Sequence, residues 1–475
     1  MPITRRLLRR EIRYESAKEE ETNILHHLGY YDKRTEFFSH LHNNQGWIQN
    51  TVAHHLNLNT PDLCHVSDIE DWLHRSFNVC VPVTIRPKGI KVILRLPLPY
   101  RVGEDFRPGN GDEKVRCEAG SYAWLQANCP DVPIPELYGF ALSTVPSRYV
   151  PHRPARNEHA VTSSYLLLEY IEATTRGRML SDTWADARID IKRRMNLFRG
   201  LARILLRISQ TPVPRIGSFI IDPKGYLVLA NRPLSMEIQQ LENEHIPTGI
   251  PRDYTYSTVD SYVTDVLDCH DNRFRHQPNA VNDLGDCVFQ LASLAGMRTV
   301  SKSIFQKGLR RGPFVFSLTD LHQSNIFVDA DWNVTCLVDL EWACALPVEM
   351  VRPPYCLTNV GVDELAASEY DPVRTEFMDA LAVEERAVAV TAGHSNNSPP
   401  LLSEIMQKSW ATGTFWYTLA LSSPSGFLII FKQHVRPLFC KDQDRDIGRI
   451  AAKKLSDKKE YDRHLQQAFE AKFQT

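Results

Sequence analysis

The sequence predicts an α+β protein of two lobes, a small antiparallel-sheet lobe followed by a larger, mainly helical one, with helical extensions at both ends. Three observations predict it. Residues 1 to about 70 place apolar side chains at helical spacing, with aromatics at Tyr30, Tyr31, Phe37, Phe38 and Trp47. A strand-rich stretch with a single helical pattern follows. After Tyr170 the pattern becomes mostly helical, broken by short hairpins. The expected organisation is therefore a helical extension over 1–70, a small lobe over 71–170, a large lobe over 171–440 and a charged helix over 441–475.

In the small lobe, Phe77 to Ile85 and Lys91 to Leu96 are rich in β-branched residues and flank Arg86-Pro87-Lys88-Gly89, a turn sequence. A polar loop, Val102 to Glu113, leads into helical character over Glu113 to Ala127. Glu136 to Leu142 and Ser164 to Glu169 read as strands, the second nearly all apolar and so central in a sheet. In the large lobe, Ala187 to Ser209 and Val281 to Met297 are helical. Asp222-Pro223-Lys224-Gly225 marks a hairpin between Gly217 to Ile221 and Tyr226 to Leu229. A last strand section runs from Phe314 to Val338; beyond it the chain is helical, with a polar loop at Gly393 to Pro400.

Composition narrows the function. The 475 residues are 43% hydrophobic and 24% charged, with 55 Lys and Arg against 57 Asp and Glu. Nothing in this balance points to nucleic acid or a membrane surface, so affinity for phosphate must come from a local site. Ten cysteines are scattered without a Cys-x-x-Cys, which reads as reduced thiols. The basic start, Met1 to Arg10, lacks the apolar stretch of a secretory signal, and the longest apolar runs are too short to span a bilayer. Acids from Glu11 onward set it apart from a mitochondrial leader, so a cytoplasmic location is expected and a mitochondrial one is second choice. His26-His27 and His54-His55 are adjacent on helices and do not face one another, so they read as surface and groove histidines, not metal ligands.

The chemistry lies in one segment. An apolar strand from Phe314 feeds a polar loop, Asp320-Leu321-His322-Gln323-Ser324-Asn325. A strand begins at Ile326, turns at Asp329-Ala330-Asp331-Trp332-Asn333 and returns to end at Asp339. With the hairpin midpoint near Trp332, Asn325 and Asp339 fall at the same open end, and Asp320 lies just before it. One carboxylate and one amide oxygen can hold Mg²⁺, which adds phosphate oxygens and water. The other carboxylate can receive the proton of an attacking hydroxyl, as phosphoryl transfer requires.

The segments Asp320-Leu321-His322-x-x-Asn325-Ile326 and Leu337-Val338-Asp339-x-Glu341-Trp342 resemble the aminoglycoside phosphotransferase family, a branch of the protein-kinase-like fold that also includes choline kinases. The resemblance covers roughly residues 70 to 350. It implies ATP and Mg²⁺ as cofactors, Asp320 as catalytic base, and Asn325 and Asp339 as metal ligands. It places Ser76, Phe77 and Asn78 at the phosphate-covering loop and Arg95 on the strand whose basic residue meets the phosphates, with Lys91 as the second choice. Glu118 falls where a helix glutamate fixes that basic residue. Glu169 and Ile171 fall in a hinge against adenine, although Leu166 to Ile171 reads equally as plain core strand.

Two departures stand out. Leu318 replaces a histidine two residues before the catalytic aspartate, and the phosphate loop lacks glycine where backbone must approach closely. The expected activity is an ATP-dependent phosphotransferase acting on a small-molecule hydroxyl, with no nucleic-acid or membrane partner. A catalytically silent kinase-like protein that binds nucleotide or a partner is the alternative, and a protein kinase is disfavoured because no activation segment is visible. An acceptor cleft is expected from residues 231–280 and 345–440, where Asp260, Asp265, Asp268, Asp271, Glu364 and Glu369 would suit a cationic substrate.

Overall fold

A computed structural model describes residues 4–74, 76–143, 163–358, 360–392, 400–439 and parts of 452–463. The polar loop expected at Gly393 to Pro400 falls, except for Pro400, outside the described residues. So does most of the charged helix expected over 441–475, of which 455–460 is described and helical.

The extension before the small lobe is not purely helical. Thr4–Arg6 pairs antiparallel with Glu11–Arg13, and after two short helical turns, Tyr14–Lys18 and Ile24–His27, come helices α1 (Tyr30–Asn43) and α2 (Gln45–His55). Strand β1 (Cys64–Val66) then joins the small-lobe sheet, and β2 (Leu73–His74) comes after it. Both are too short to show a period in the sequence.

Strands β3 (Asn78–Ile85) and β4 (Ile90–Pro97) form the expected hairpin. Its turn closes where Gly89 takes a φ of +67° and donates its N–H to the Ile85 carbonyl at 2.8 Å. Helix α3 (Asn110–Asn128) leads to β5 (Leu137–Ala141) and β6 (Tyr165–Glu169). The sheet runs β1-β3-β4-β6-β5, with β2 also on β3, and every pairing is antiparallel.

Alternation assigns the two faces. Val79, Val81, Val83, Val92, Leu94, Leu96 and Leu167 pack behind the sheet against Phe38, Leu41, Trp47, Ile48 and Val52 of α1 and α2. Leu166 and Leu168 face forward into the main core with Val115 and Leu125 of α3. Arg95 and Ile93, one step out of phase with the rear set, therefore open toward the front.

The histidines bear on this packing. His55 is buried, its Nε2 lies 3.0 Å from the Tyr165 hydroxyl, and its ring sits where a Cβ on Gly139 would be, 2.2 Å from Nδ1. It is a core histidine, not a surface or groove one. Among the described residues no cluster of three or more His, Cys, Asp or Glu side chains is arranged to hold a metal. The described cysteines are free thiols, and no described helix is long and apolar enough to cross a membrane.

In the large lobe, helix α4 (Ile191–Ser209) is capped by Asp190. Strands β7 (Ser218–Ile221) and β8 (Leu227–Asn231) make the Asp222 hairpin, whose Asp222 carboxylate accepts from the Lys224 and Tyr226 amides at 2.9 and 2.8 Å. Helices α5 (Met236–Asn243), α6 (Val259–His276) and α7 (Leu284–Ile304) precede β9 (Phe314–Ser317), β10 (Ile326–Val328), β11 (Val334–Leu337) and β12 (Cys344–Pro347). Strand β12 was not expected; it pairs antiparallel with β9. Helix α8 (Ala367–Ala392) packs on α4, with Phe377 against Phe198, and α9 (Leu402–Thr412) and α10 (Thr414–Leu421) complete the lobe.

Candidate active site

The β10–β11 hairpin fixes the centre. Its turn is held by Asp329, which accepts from the Asp331 and Asn333 amides, each at 2.9 Å. Trp332, at a φ of +64°, is buried and stacked on Trp184. At the open end the Val338 N–H donates to the Asn325 carbonyl at 2.9 Å. Asn325 and Asp339 thus emerge side by side, and Asp339 itself has a φ of +65°. Asn325 donates its amide nitrogen to the Asp320 carbonyl at 2.9 Å and stands 3.4 Å from Asp320 Oδ2. That orientation leaves the Asn325 amide oxygen as an acceptor.

The loop is braced without the absent histidine. Leu318 packs against the main core, and the Thr319 hydroxyl donates to the Trp342 carbonyl at 2.7 Å.

These residues floor a cleft of about 770 Å³ between the lobes. Ser76, Phe77, Asn78, Arg95, Glu169, Ile171, Asp320, Asn325 and Asp339 all line it. Glu118 lies behind the wall. Arg95 Nη2 donates to Asp339 Oδ1 and, at 2.8 Å, to Glu341 Oε2. Its Nε is 3.5 Å from Glu118 Oε1, and neither Glu118 oxygen accepts a hydrogen bond among the described residues. Lys91 shares the strand face but sits at the mouth, half-exposed, 3.5 Å from Glu172.

The phosphate-loop residues are held individually. The Ser76 carbonyl accepts from Arg101 at 2.7 Å, Phe77 meets Trp342 edge-on at 5.0 Å, and the Asn78 amide donates to Glu341 at 2.6 Å. In the hinge segment the Glu169 amide donates to the Glu136 carbonyl at 2.9 Å and the Tyr170 amide to the Lys91 carbonyl at 3.4 Å. Leu166 to Glu169 is a core strand, and the segment after it borders the cleft.

Burial, together with the charges of Asp339, Glu341 and Glu237, pushes the Asp320 carboxyl up to about 8. Burial also raises Asp339, with Glu341 adding to it and Arg95 opposing. Burial would raise Glu341 too, but Lys114 and Arg95 hold it below the ordinary carboxylate range.

The acidic residues proposed for the acceptor lie elsewhere. Asp260 pairs with Arg310 at 2.9 Å, Asp265 accepts from the Tyr256 hydroxyl at 2.9 Å, and Asp268 and Asp271 pair with Arg298. Asp265, Asp268 and Asp271 line a separate cavity of about 330 Å³ beside Thr248 and Arg275. The orientation of α6, set by its core residues Val259, Tyr262, Val263 and Leu267, turns them away from Asp320. Glu364 and Glu369 do not line the main cleft either. Asp182 lines the main cleft, and the charge of Glu237 raises Asp320.

Lys114, Tyr122 and Glu341 were not foreseen as site residues. Lys114, Glu118 and Tyr122 recur every four positions, which puts them on one face of α3; this spacing was the available signal. Glu341 stood in the matched motif without a role.

One carboxylate and one amide oxygen, converging beside a guanidinium, make a donor set that fits Mg²⁺ carried in by phosphate oxygens and does not amount to a self-sufficient metal cage.

The family model described as phosphotransferase enzyme family, APH, matches residues 86–349. Similar solved structures include a Plasmodium vivax ethanolamine kinase, at 12% identity, 81% coverage of each chain and a TM-score of 0.39. A type I macrolide 2′-phosphotransferase is similar at 13% identity, covering 76% of this chain and 89% of that one, with a TM-score of 0.32. A spectinomycin phosphotransferase in complex with ADP and spectinomycin has 10% identity, 75% and 92% coverage, and a TM-score of 0.30. No curated protein matches significantly.

Proposed function

Because the chain belongs to the phosphotransferase enzyme family, we propose that it transfers the γ-phosphate of ATP to a hydroxyl of a small molecule. The convergence of Asp320, Asn325 and Asp339 at one end of a hairpin, with Arg95 bonded to Asp339 at the same place in the cleft, carries this reading. The acceptor oxygen attacks the γ-phosphorus, the bond to the β,γ-bridging oxygen breaks, ADP leaves, and the acceptor proton passes to an oxygen of the ionised form of Asp320, which a cation held by Asn325 and Asp339 would favour. Asn325 and Asp339 would hold Mg²⁺, which when bound neutralises charge on the phosphate oxygens. Arg95 would meet the phosphates, and Glu118 would orient it by charge. The Ile171 amide and the hinge carbonyls would face adenine.

A small acceptor fits the short path after Asp339. The chain passes Glu341 and Trp342 and enters β12 at Cys344, five residues after Asp339. The alternative, a silent kinase-like protein, finds support in Arg95 being bonded to two carboxylates and in the glycine-free loop.

Thermal shift with Mg·ATP tests the site. Wild type should be stabilised and Asp339→Ala should not; no shift in either would sink the nucleotide reading. Asp320→Ala should keep the shift while losing turnover, including slow ATP hydrolysis. Normal turnover in that variant would refute Asp320 as base, and binding without turnover in wild type would favour the silent alternative.

A further inference from the structure

A second buried cation stands one helical turn before Glu118. The Lys114 side chain has no exposure. Its Nζ donates to Asn78 Oδ1 at 2.7 Å, pairs with Glu341 Oε2, lies 3.8 Å from Glu118 Oε2 and stands 5.4 Å over the Trp342 ring. Glu341 Oε2 in turn gathers Lys114, Arg95 Nη2 and Asn78 Nδ2. Asn78 is therefore held by both atoms of its amide, at the end of the Ser76–Asn78 loop that would cover phosphate.

We infer that Lys114 is a positioning residue for the phosphate end of the site, an inference that rests on the phosphotransferase reading above. It has two effects. By fixing Asn78 it clamps a loop that has no glycine to bring the backbone close. By pairing Glu341 it adds a second cation to a cluster in which Glu118, Glu341 and the half-buried Asp339 all lie against the guanidinium of Arg95. Arg95 is then left able to turn a face to phosphate. A compact ammonium with three donors suits this three-way contact better than a planar guanidinium. The nucleoside end is built separately, from the hinge segment on β6, so Lys114 should matter to phosphates and not to adenosine.

Isothermal titration calorimetry with Mg·ATP and, separately, with adenosine tests this on wild type, Lys114→Met, Asn78→Ala and the double variant. Lys114→Met should weaken Mg·ATP by about tenfold or more, the scale on which residues supporting metal ligands act. Adenosine affinity should stay within about twofold. Asn78→Ala should show the same selectivity in smaller degree, and the double variant should lose no more than Lys114→Met alone, because the two act through one clamp. If Lys114→Met folds poorly, Asn78→Ala carries the comparison. Unchanged Mg·ATP affinity in the variants, or equal losses for both ligands, would overturn the inference while leaving the site standing. Failure of wild type to bind Mg·ATP would remove the phosphotransferase reading and this inference with it.

Discussion

Arg232→Met should cost about 3 kcal/mol of stability although it touches no part of the cleft. Arg232 has no exposure and comes directly after β8. Its Nε and Nη2 donate to the two oxygens of Glu113 at 2.8 and 2.9 Å, and its Nη1 and Nη2 donate to the two oxygens of Glu242 at 2.7 and 2.9 Å. Nη1 also reaches the Ile250 carbonyl at 3.0 Å and the Thr248 hydroxyl at 3.2 Å. Breaking a buried ion pair by removing one partner costs about 3–5 kcal/mol, because the other charge stays buried. Here Arg252 still reaches Glu113 at 3.0 Å and Arg107 still reaches Glu242, so the loss belongs at the lower end. Urea denaturation followed by tryptophan fluorescence would measure it. The control is the triple variant Arg232→Met, Glu113→Gln, Glu242→Gln, which removes the stranded charges and should recover at least half the loss. Acid sensitivity gives a second reading. Burial would raise Glu242, but its bonds to Arg232 and the nearby charge of Arg107 bring it below its ordinary value. A depressed carboxyl contributes stability above its unfolded value, and that contribution is lost as pH falls through the folded one. The variant should lose this protection and show a smaller acid-dependent loss. A destabilisation under about 1 kcal/mol, or a triple variant no better than the single, would refute the reasoning.

Gly120→Ala should also be severely destabilising, by about 3 kcal/mol, since overpacking against backbone cannot relax. Its Cβ would stand 2.1 Å from the Phe219 carbonyl oxygen and 2.8 Å from the Ile220 nitrogen; wild-type stability in the variant would show that α3 does not lie against β7 in this way. Burial pulls the His270 imidazole down to about 4 from 6.5, while its Nε2 stands 2.8 Å from the Leu421 carbonyl. The unfolded chain then takes up the proton first as pH falls, so this stability is intact above 6.5 and lost toward 4, by at most about 3 kcal/mol. His270→Phe should flatten the stability profile across that window, and parallel profiles for the two proteins would rule the histidine out.

What was legible in the sequence was local. The β10–β11 hairpin could be placed because its turn chemistry, Asp329 through Asn333, fixes the register without long-range contacts, and Asn325 and Asp339 could be placed from it. Arg95 was placed by the family resemblance, and the strand alternation that separates it from Val92, Leu94 and Leu96 agrees with that placement. The features that were not legible depended on partners far along the chain. Strand β12 is four residues of Cys-Ala-Leu-Pro with no alternation, and pairing with β9 and with Gly217 gives it a reason to be a strand. The acids of α6 could be counted but not placed against the cleft, because the apolar stripe Val259, Tyr262, Val263 and Leu267 says which face meets the core and not where the helix sits relative to Asp320. Lys114 and Glu341 were hidden by a sound default, that lysine and glutamate are solvated unless paired; their pairing spans more than two hundred residues.

Helix α3 is where that default fails, and its fastening bears on function. Asp112, Glu113, Lys114 and Glu118 are all buried along it, beside Val115, Tyr122, Trp124 and Leu125, so no polar face exists to read. Its N-terminus is capped by Glu104, which accepts from the Gly111 amide at 2.8 Å. Glu113 ties it to Arg232 of the large lobe, Gly120 lets β7 lie against its backbone, and Ser121 donates to the Ala343 carbonyl at 3.2 Å. The helix that carries Lys114 and Glu118 toward Arg95 is thus fastened to the large lobe at its start and along its second half. Swinging it outward, as a switch acting on Arg95 would require, means breaking a buried bidentate ion pair and unpacking a backbone contact together, a cost of several kcal/mol. A site built on such a helix is held assembled before nucleotide arrives. On the proposed phosphotransferase reading, control would then have to act on the Ser76–Asn78 loop or elsewhere in the cleft, and not on this helix.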